Sequence, residues 1–302
     1  MSITRTNSSG SLPRRVVESS VLADGLLIRF WRAGAGPALV LVHGLLGYSF
    51  SWRGVIPALA HKNEVFAVDM PGAGFSECRA GLDFRLAGAA RRLLAFLDAA
   101  GIDSCDLVGS SYGGSTAVML AGLAPSRIRS LMLVSPANPW SKIGKKRLEL
   151  LRNRAVARVF PTLARAARPM HKYLVRRMWG DPGLVTKETL DGYTRPLVRR
   201  GVFEHAGKIV QSWDADMTQL ESTLPKIAGI PTLLVWGGKD RVVDLRSAEI
   251  MAQRLPGSRV AIIKGAGHLP YEESPEEFSR IVRQFLADAR YKNTGSPARS
   301  VT

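Results

Sequence analysis

The sequence has only two cysteines, Cys78 and Cys105, in 302 residues. That excludes a disulfide framework, although one bridge between the pair would still be allowed, and it fits a reducing compartment such as the cytoplasm. No apolar run approaches the roughly 18–20 residues that would cross a bilayer as a helix. The longest candidate, residues 37–50, is interrupted by His43 and two glycines and reads as a buried strand and turn. The opening MSITRTNSSGSLPRR has no apolar h-region, so a secretory leader is not expected. Neither a His-x-x-x-His pair nor a Cys-x-x-Cys pair occurs, so no metal is expected, and nothing in the chain asks for a cofactor.

Acidic residues are also scarce: 25 Asp and Glu stand against 42 Lys and Arg, a net charge of +17. The excess is uneven. Residues 141–215 hold 17 basic and 6 acidic side chains, so a quarter of the chain carries about two thirds of the imbalance. Such asymmetry marks a separate segment. Otherwise composition is ordinary for a globular protein, with 46% hydrophobic and 22% charged residues. It excludes a wholly disordered chain and suits one large α/β domain with an insertion better than two full domains.

Residues 16–21 and 26–33 read as strands joined by the turn Ala23-Asp24-Gly25. Apolar runs at 39–42, 65–68, 106–108 and 128–134 read as strands covered on both faces. Helical spacing appears at 86–100 and 112–123. Residues 136–217 look helical and basic, with breaks expected at Pro161, Pro169 and Asp181-Pro182-Gly183. Alternation then resumes with strands at 232–236 and 260–263 and helices at 245–255 and 275–287. This order predicts an α/β fold: a mostly parallel eight-stranded sheet, helices on both faces, and an inserted helical cap. The core would comprise residues 16–135 and 218–288, the cap 136–217, and the ends 1–15 and 289–302 would be flexible.

Gly109-Ser110-Ser111-Tyr112-Gly113 lies between a strand and a helix. G-x-S-x-G in that setting is a nucleophile elbow, a tight turn that lifts its central serine out of the sheet edge. The alternative is a Gly/Ser-rich loop that merely starts a helix. Register selects Ser111 over Ser110. A serine hydroxyl needs a base to take its proton. Of five histidines, His268 sits between Gly267 and Leu269 just after the last strand, at the sheet edge expected for Ser111. His171 and His205 fall in the basic insertion, His61 follows a helix, and His43 is better suited to holding a loop. The base needs a carboxylate to fix its tautomer. Asp240, after the strand at 232–236, is favoured; Asp244 is the competitor and could instead cap the next helix. A tetrahedral intermediate needs oxyanion donors. The backbone N–H groups of Tyr112 and of Leu45, in the loop His43-Gly44-Leu45-Leu46-Gly47, are the candidates.

With these motifs in order, the chain resembles the α/β-hydrolase superfamily, of the serine-nucleophile, esterase- or lipase-like kind with a helical cap. The resemblance rests on GSSYGG, HGLLG, Asp69-Met70-Pro71-Gly72-Ala73-Gly74-Phe75-Ser76, the stretch 236–240 and Gly267-His268-Leu269-Pro270, and covers roughly residues 16–288 apart from the cap. It implies hydrolysis of a carboxylic ester or related acyl compound through an acyl-enzyme, with Ser111, Asp240 and His268 catalytic. It also implies a structural role for the turn at 69–76. A serine where epoxide hydrolases and haloalkane dehalogenases carry aspartate argues against both. Carbon–carbon bond hydrolases and cofactor-free perhydrolases share the serine and stay open. So does a non-catalytic accessory protein with a membrane-facing cap.

The cap interleaves its basic residues with Leu148, Leu150, Leu151, Val156, Val159, Phe160, Leu163, Tyr173, Leu174, Val175 and Trp179. Two readings stand: lid helices with solvated basic outer faces, or a surface that attracts anionic ligands. The second could be acidic membrane lipids, which would place a cytoplasmic protein peripherally on a membrane, or equally acyl carriers or phosphorylated substrates. The cap's apolar residues are expected to line the pocket, so a small-molecule substrate with an apolar acyl or alkyl group is expected. Nucleic acid is not, because no recognition module accompanies the charge.

Overall fold

The computed structural model describes residues 16–143, 149–151 and 153–293. The two ends expected to be flexible therefore lie outside the described residues up to 15 and beyond 293, as do Lys145, Lys146, Arg147, Leu148 and Arg152 of the cap. Eight strands form one sheet. They are β1 (Val17–Ala23), β2 (Leu26–Ala33), β3 (Ala38–Val42), β4 (Glu64–Val68), β5 (Cys105–Ser110), β6 (Ile128–Val134), β7 (Thr232–Gly237) and β8 (Arg259–Ile263). Their spatial order is β1-β2-β4-β3-β5-β6-β7-β8. β2 pairs antiparallel with β1 and β4, and the remaining pairs are parallel. β1 and β2 join through Asp24 and Gly25, both with positive φ (51° and 69°). That geometry matches the right-handed twist of a two-residue hairpin.

The continuous apolar runs have a plain cause. In β3, Leu39 and Leu41 point into one core cluster, Val40 and Val42 into the other; in β7, Leu233 and Val235 oppose Leu234 and Trp236. A strand buried on both faces cannot alternate polar with apolar residues. On one face lie α1 (Leu86–Ala99), α2 (Tyr112–Leu123) and α8 (Arg246–Arg254); on the other, α9 (Pro275–Asn293). Both cysteines are free thiols. No helix among the described residues is long and apolar enough to cross a membrane.

Between β6 and β7 the chain forms α3 (Arg154–Ala166), α4 (Arg168–Met178), α5 (Lys187–Thr194), α6 (Val202–Gln211) and α7 (Trp213–Thr223). Three expectations are corrected here. Pro161 does not break the cap: α3 runs through it, anchored by Phe160 packing edge-on against Phe203 of α6. Pro169 and Pro182 do stand at helix starts, where a missing N–H costs nothing. At the other end, the core does not stop at residue 288. α9 continues to Asn293 because Ala289 is buried and Arg290 reaches Asn63 and Asp106 at 2.6 and 2.8 Å. The boundary expected at residue 217 falls inside α7, whose Met217 and Leu220 are buried in the core cluster.

Candidate active site

Ser111 follows β5 and caps α2 with φ 52° and ψ −122°. A non-glycine residue held there stores about 1–3 kcal/mol of strain. The turn is held from below. The Ser111 N–H donates to the Val134 carbonyl at 2.9 Å, and Gly113 leaves no room for a side chain, since a Cβ would run into the carbonyl oxygens of Val42 and His43. Ser110 is fully buried one residue earlier and accepts a hydrogen bond from the Tyr271 hydroxyl at 3.2 Å. Only Ser111 of the two faces the cavity.

His268 lies on the loop after β8, and its Nδ1 is 2.9 Å from Asp240 Oδ2. Both side chains are buried. The other Asp240 oxygen accepts the N–H groups of Val242 and Val243 at 2.7 and 3.0 Å. Burial alone would raise the Asp240 carboxyl, but the attraction of His268 and these hydrogen bonds outweigh it and hold the group below its ordinary value. An ionised acceptor at this position requires the hydrogen on Nδ1, which leaves Nε2 with its lone pair. The imidazole contact is made by Asp240, whereas Asp244 accepts the Arg246 N–H at the start of α8.

Ser111, His268, Leu45 and Tyr112 all line one cavity of about 640 Å³. Gly44, beside Leu45, packs directly on the serine: a carbon attached there would sit 3.0 Å from Ser111 Cβ. The cap supplies Leu151, Leu174, Val175, Met178 and Leu197 to the cavity wall, and polar groups enter as Asn138, Asp214, Thr218 and Glu221. His171 lines the cavity as well. His61 is exposed on a turn and does not line the cavity. Among the described residues, no group of three or more His, Cys, Asp or Glu is placed to hold a metal.

His43 holds its loop. Its Nε2 accepts the Met70 N–H at 3.0 Å while Nδ1 lies 2.8 Å from the Gly44 carbonyl. Desolvation lowers its pKa, keeping the ring neutral. The 69–76 turn is tied by Asp69, which accepts from the Ser49 and Phe75 N–H groups and from Arg29 at 2.7, 2.9 and 2.9 Å. His205 of α6 lies over Gly72 of that turn, edge-on to Phe84.

Two contacts carried no signal in the sequence. The His268 N–H donates to the Met178 carbonyl at the end of α4, at 2.7 Å. Glu273 spans the same junction: one oxygen accepts the Gly267 N–H at 2.6 Å, the other the N–H groups of Gly180 and Asp181 at 2.8 and 3.3 Å. The histidine loop is thus fastened to the cap through backbone groups, which leave no residue-type pattern to read.

Comparison with known proteins identifies the fold. Residues 37–275 match the family model of the alpha/beta hydrolase fold. The dihydrolipoyllysine-residue acetyltransferase component of the acetoin cleaving system of Cupriavidus necator is 32% identical over 268 residues, which cover 87% of this chain and 67% of that protein. The pimeloyl-(acyl-carrier protein) methyl ester esterase of Aeromonas hydrophila is 27% identical over 266 residues, covering 84% and 97%. Among solved structures, a bacterial membrane phospholipase A superposes with a TM-score of 0.78 at 28% identity, covering 91% of this chain and 87% of that one.

Proposed function

The chain belongs to the α/β-hydrolase fold family, and from that membership we propose that it is a serine hydrolase cleaving a carboxylic ester or related acyl compound. The observation that carries the reading is a serine in a strained left-handed turn sharing an apolar cavity with a histidine already bonded to a buried carboxylate. With Nδ1–H donated to Asp240, His268 takes the Ser111 hydroxyl proton on Nε2 while Oγ bonds to the substrate carbonyl carbon. The N–H groups of Leu45 and Tyr112 hold the resulting oxyanion. Collapse breaks the ester bond, and the leaving alcohol departs with the proton from Nε2. Water, deprotonated by the same nitrogen, then releases the acid and restores Ser111.

The acyl or alkyl portion of the substrate would occupy the wall made by Leu174, Val175 and Met178. The cavity volume falls within the range of small-molecule sites. An acetyltransferase component, a methyl ester esterase and a phospholipase A among the relatives all concern acyl groups, which supports an acyl substrate. A fluorophosphonate probe is expected to label Ser111, and Ser111→Ala is expected to lose turnover across a chain-length panel of p-nitrophenyl esters. A folded protein that stays unlabelled would overturn the proposal. A vinylogous diketone belongs in the panel, because fast turnover of it alone would move the reaction to a carbon–carbon bond.

A further inference from the structure

The cap's apolar residues do not all face the cavity. On α3, Val159 and Leu163 are 49% and 61% exposed, and on α4, Met170, Tyr173 and Leu174 are 53%, 53% and 43% exposed. Spacings of four on α3 and of three and four on α4 put each set on one helical face. Arg177, three residues after Leu174, continues that face; its guanidinium lies 5.9 Å over the Tyr173 ring, with a 3.4 Å hydrogen bond to the hydroxyl. Arg158 and Arg176 are exposed beside the stripe and pair with no carboxylate among the described residues. An exposed apolar patch of this kind marks an interaction surface. The opposite side of α4 lines the cavity through His171, Val175 and Met178, and Leu174 belongs to both sides. One helix therefore separates the catalytic cavity from an outward apolar stripe, and Leu174 stands at the rim between them.

We propose that this outer face of α3 and α4 docks on the surface of an anionic lipid bilayer. Charge complementarity selects that partner. On each of the two helices exposed apolar side chains stand beside exposed arginines, within a segment that holds 17 basic and 6 acidic residues. Aliphatic side chains enter the boundary between head groups and acyl chains, and arginines reach back to lipid phosphates. A tyrosine bonded to an arginine suits the head-group level, where an apolar ring and a polar tip are both satisfied. Docked this way, the cavity opens toward the bilayer at Leu174, and a chain-bearing substrate passes into it without crossing bulk water. The docking surface stands apart from the catalytic reading.

Sedimentation with lipid vesicles tests it, using Ser111→Ala so that binding is read without hydrolysis. The protein is expected to pellet with phosphatidylcholine vesicles containing phosphatidylserine, weakly with phosphatidylcholine alone, and less as salt rises. The triple change Arg158→Gln, Arg176→Gln and Arg177→Gln should weaken binding on the order of a hundredfold. Leu163→Ser with Tyr173→Ser should weaken it as well, while circular dichroism and melting show an intact fold. Arg280→Gln, Arg283→Gln and Lys226→Gln, an equal charge change on exposed core positions, should leave most of the binding in place. Equal loss in that control, indifference to phosphatidylserine, or no vesicle binding would overturn the proposal. So would a concentration-dependent dimer that Leu163→Ser dissociates while vesicle binding is absent.

Discussion

At the residue scale, the site depends on which atom of His268 carries its hydrogen. Asp240 fixes it on Nδ1 only while the carboxylate is an acceptor. Asp240→Asn preserves shape but lets the amide donate, which stabilises the opposite tautomer and removes the charge facing the imidazolium. Ester turnover is expected to fall on the order of a thousandfold or more, with the fold unchanged by circular dichroism. Glu273 acts at one remove. Burial raises its carboxyl above the ordinary value despite the three backbone N–H groups it accepts. Glu273→Gln keeps one acceptor oxygen and turns an NH2 toward a backbone donor, so the His268 loop shifts. We expect kcat to drop on the order of tenfold with little change in KM, since a displaced base harms the transition state more than binding. Ser111, His268 and Asp240 were legible because their motifs fix a turn or follow a strand end. Glu273 was not: its partners are main-chain amides, and nothing about the residue types at 180, 181 and 267 advertises them.

At the scale of elements, α6 rests on the 69–76 turn through His205 and Gly72. Gly72 has φ 87°, and a Cβ there would enter the His205 ring. Gly72→Ala is expected to destabilise the protein by about 2–4 kcal/mol, measured by urea unfolding, because strain and overpacking add. Burial lowers the His205 pKa to about 4, helped by the positive charges of Arg92 and Lys208. The unfolded chain binds its proton near the ordinary value of about 6.5. Stability from the neutral ring is therefore complete above pH 6.5 and is lost as pH falls toward 4, on the order of 3 kcal/mol in all. Melts of wild type and His205→Phe at pH 7 and pH 5 check this; the wild type should lose more on acidification. The strands were readable as elements because two-sided burial forces apolar runs. The cap helices were readable as helices but not as orientations, because α4 is apolar on its cavity side and on its outer side alike. Pro161 misled because α3 continues through it, with its neighbour Phe160 packed on Phe203 of another helix.

At the scale of the molecule, one buried carboxylate joins three distant parts. Asp106 of β5 accepts Arg129 of β6 at 2.9 Å, Arg290 of α9 at 2.8 Å and the Ser130 hydroxyl at 2.8 Å. Inside an apolar-looking strand it had no reading from sequence, since its partners arrive from 23 and 184 positions away. Asp106→Ala leaves two guanidinium groups uncompensated and should cost about 3–5 kcal/mol, seen as a lower urea midpoint with an unchanged slope. The Met178–His268 hydrogen bond has a different consequence. Because the last carbonyl of one cap helix grips the amide of His268, the proposed general base, the cap wall of the cavity and the residue proposed to move the proton are mechanically one part. Grafting a relative's lid onto this scaffold between 136 and 217 would import a new specificity together with a mis-set histidine. A productive chimera would have to carry residues 178–181 and a matching carboxylate at 273 as a single cassette.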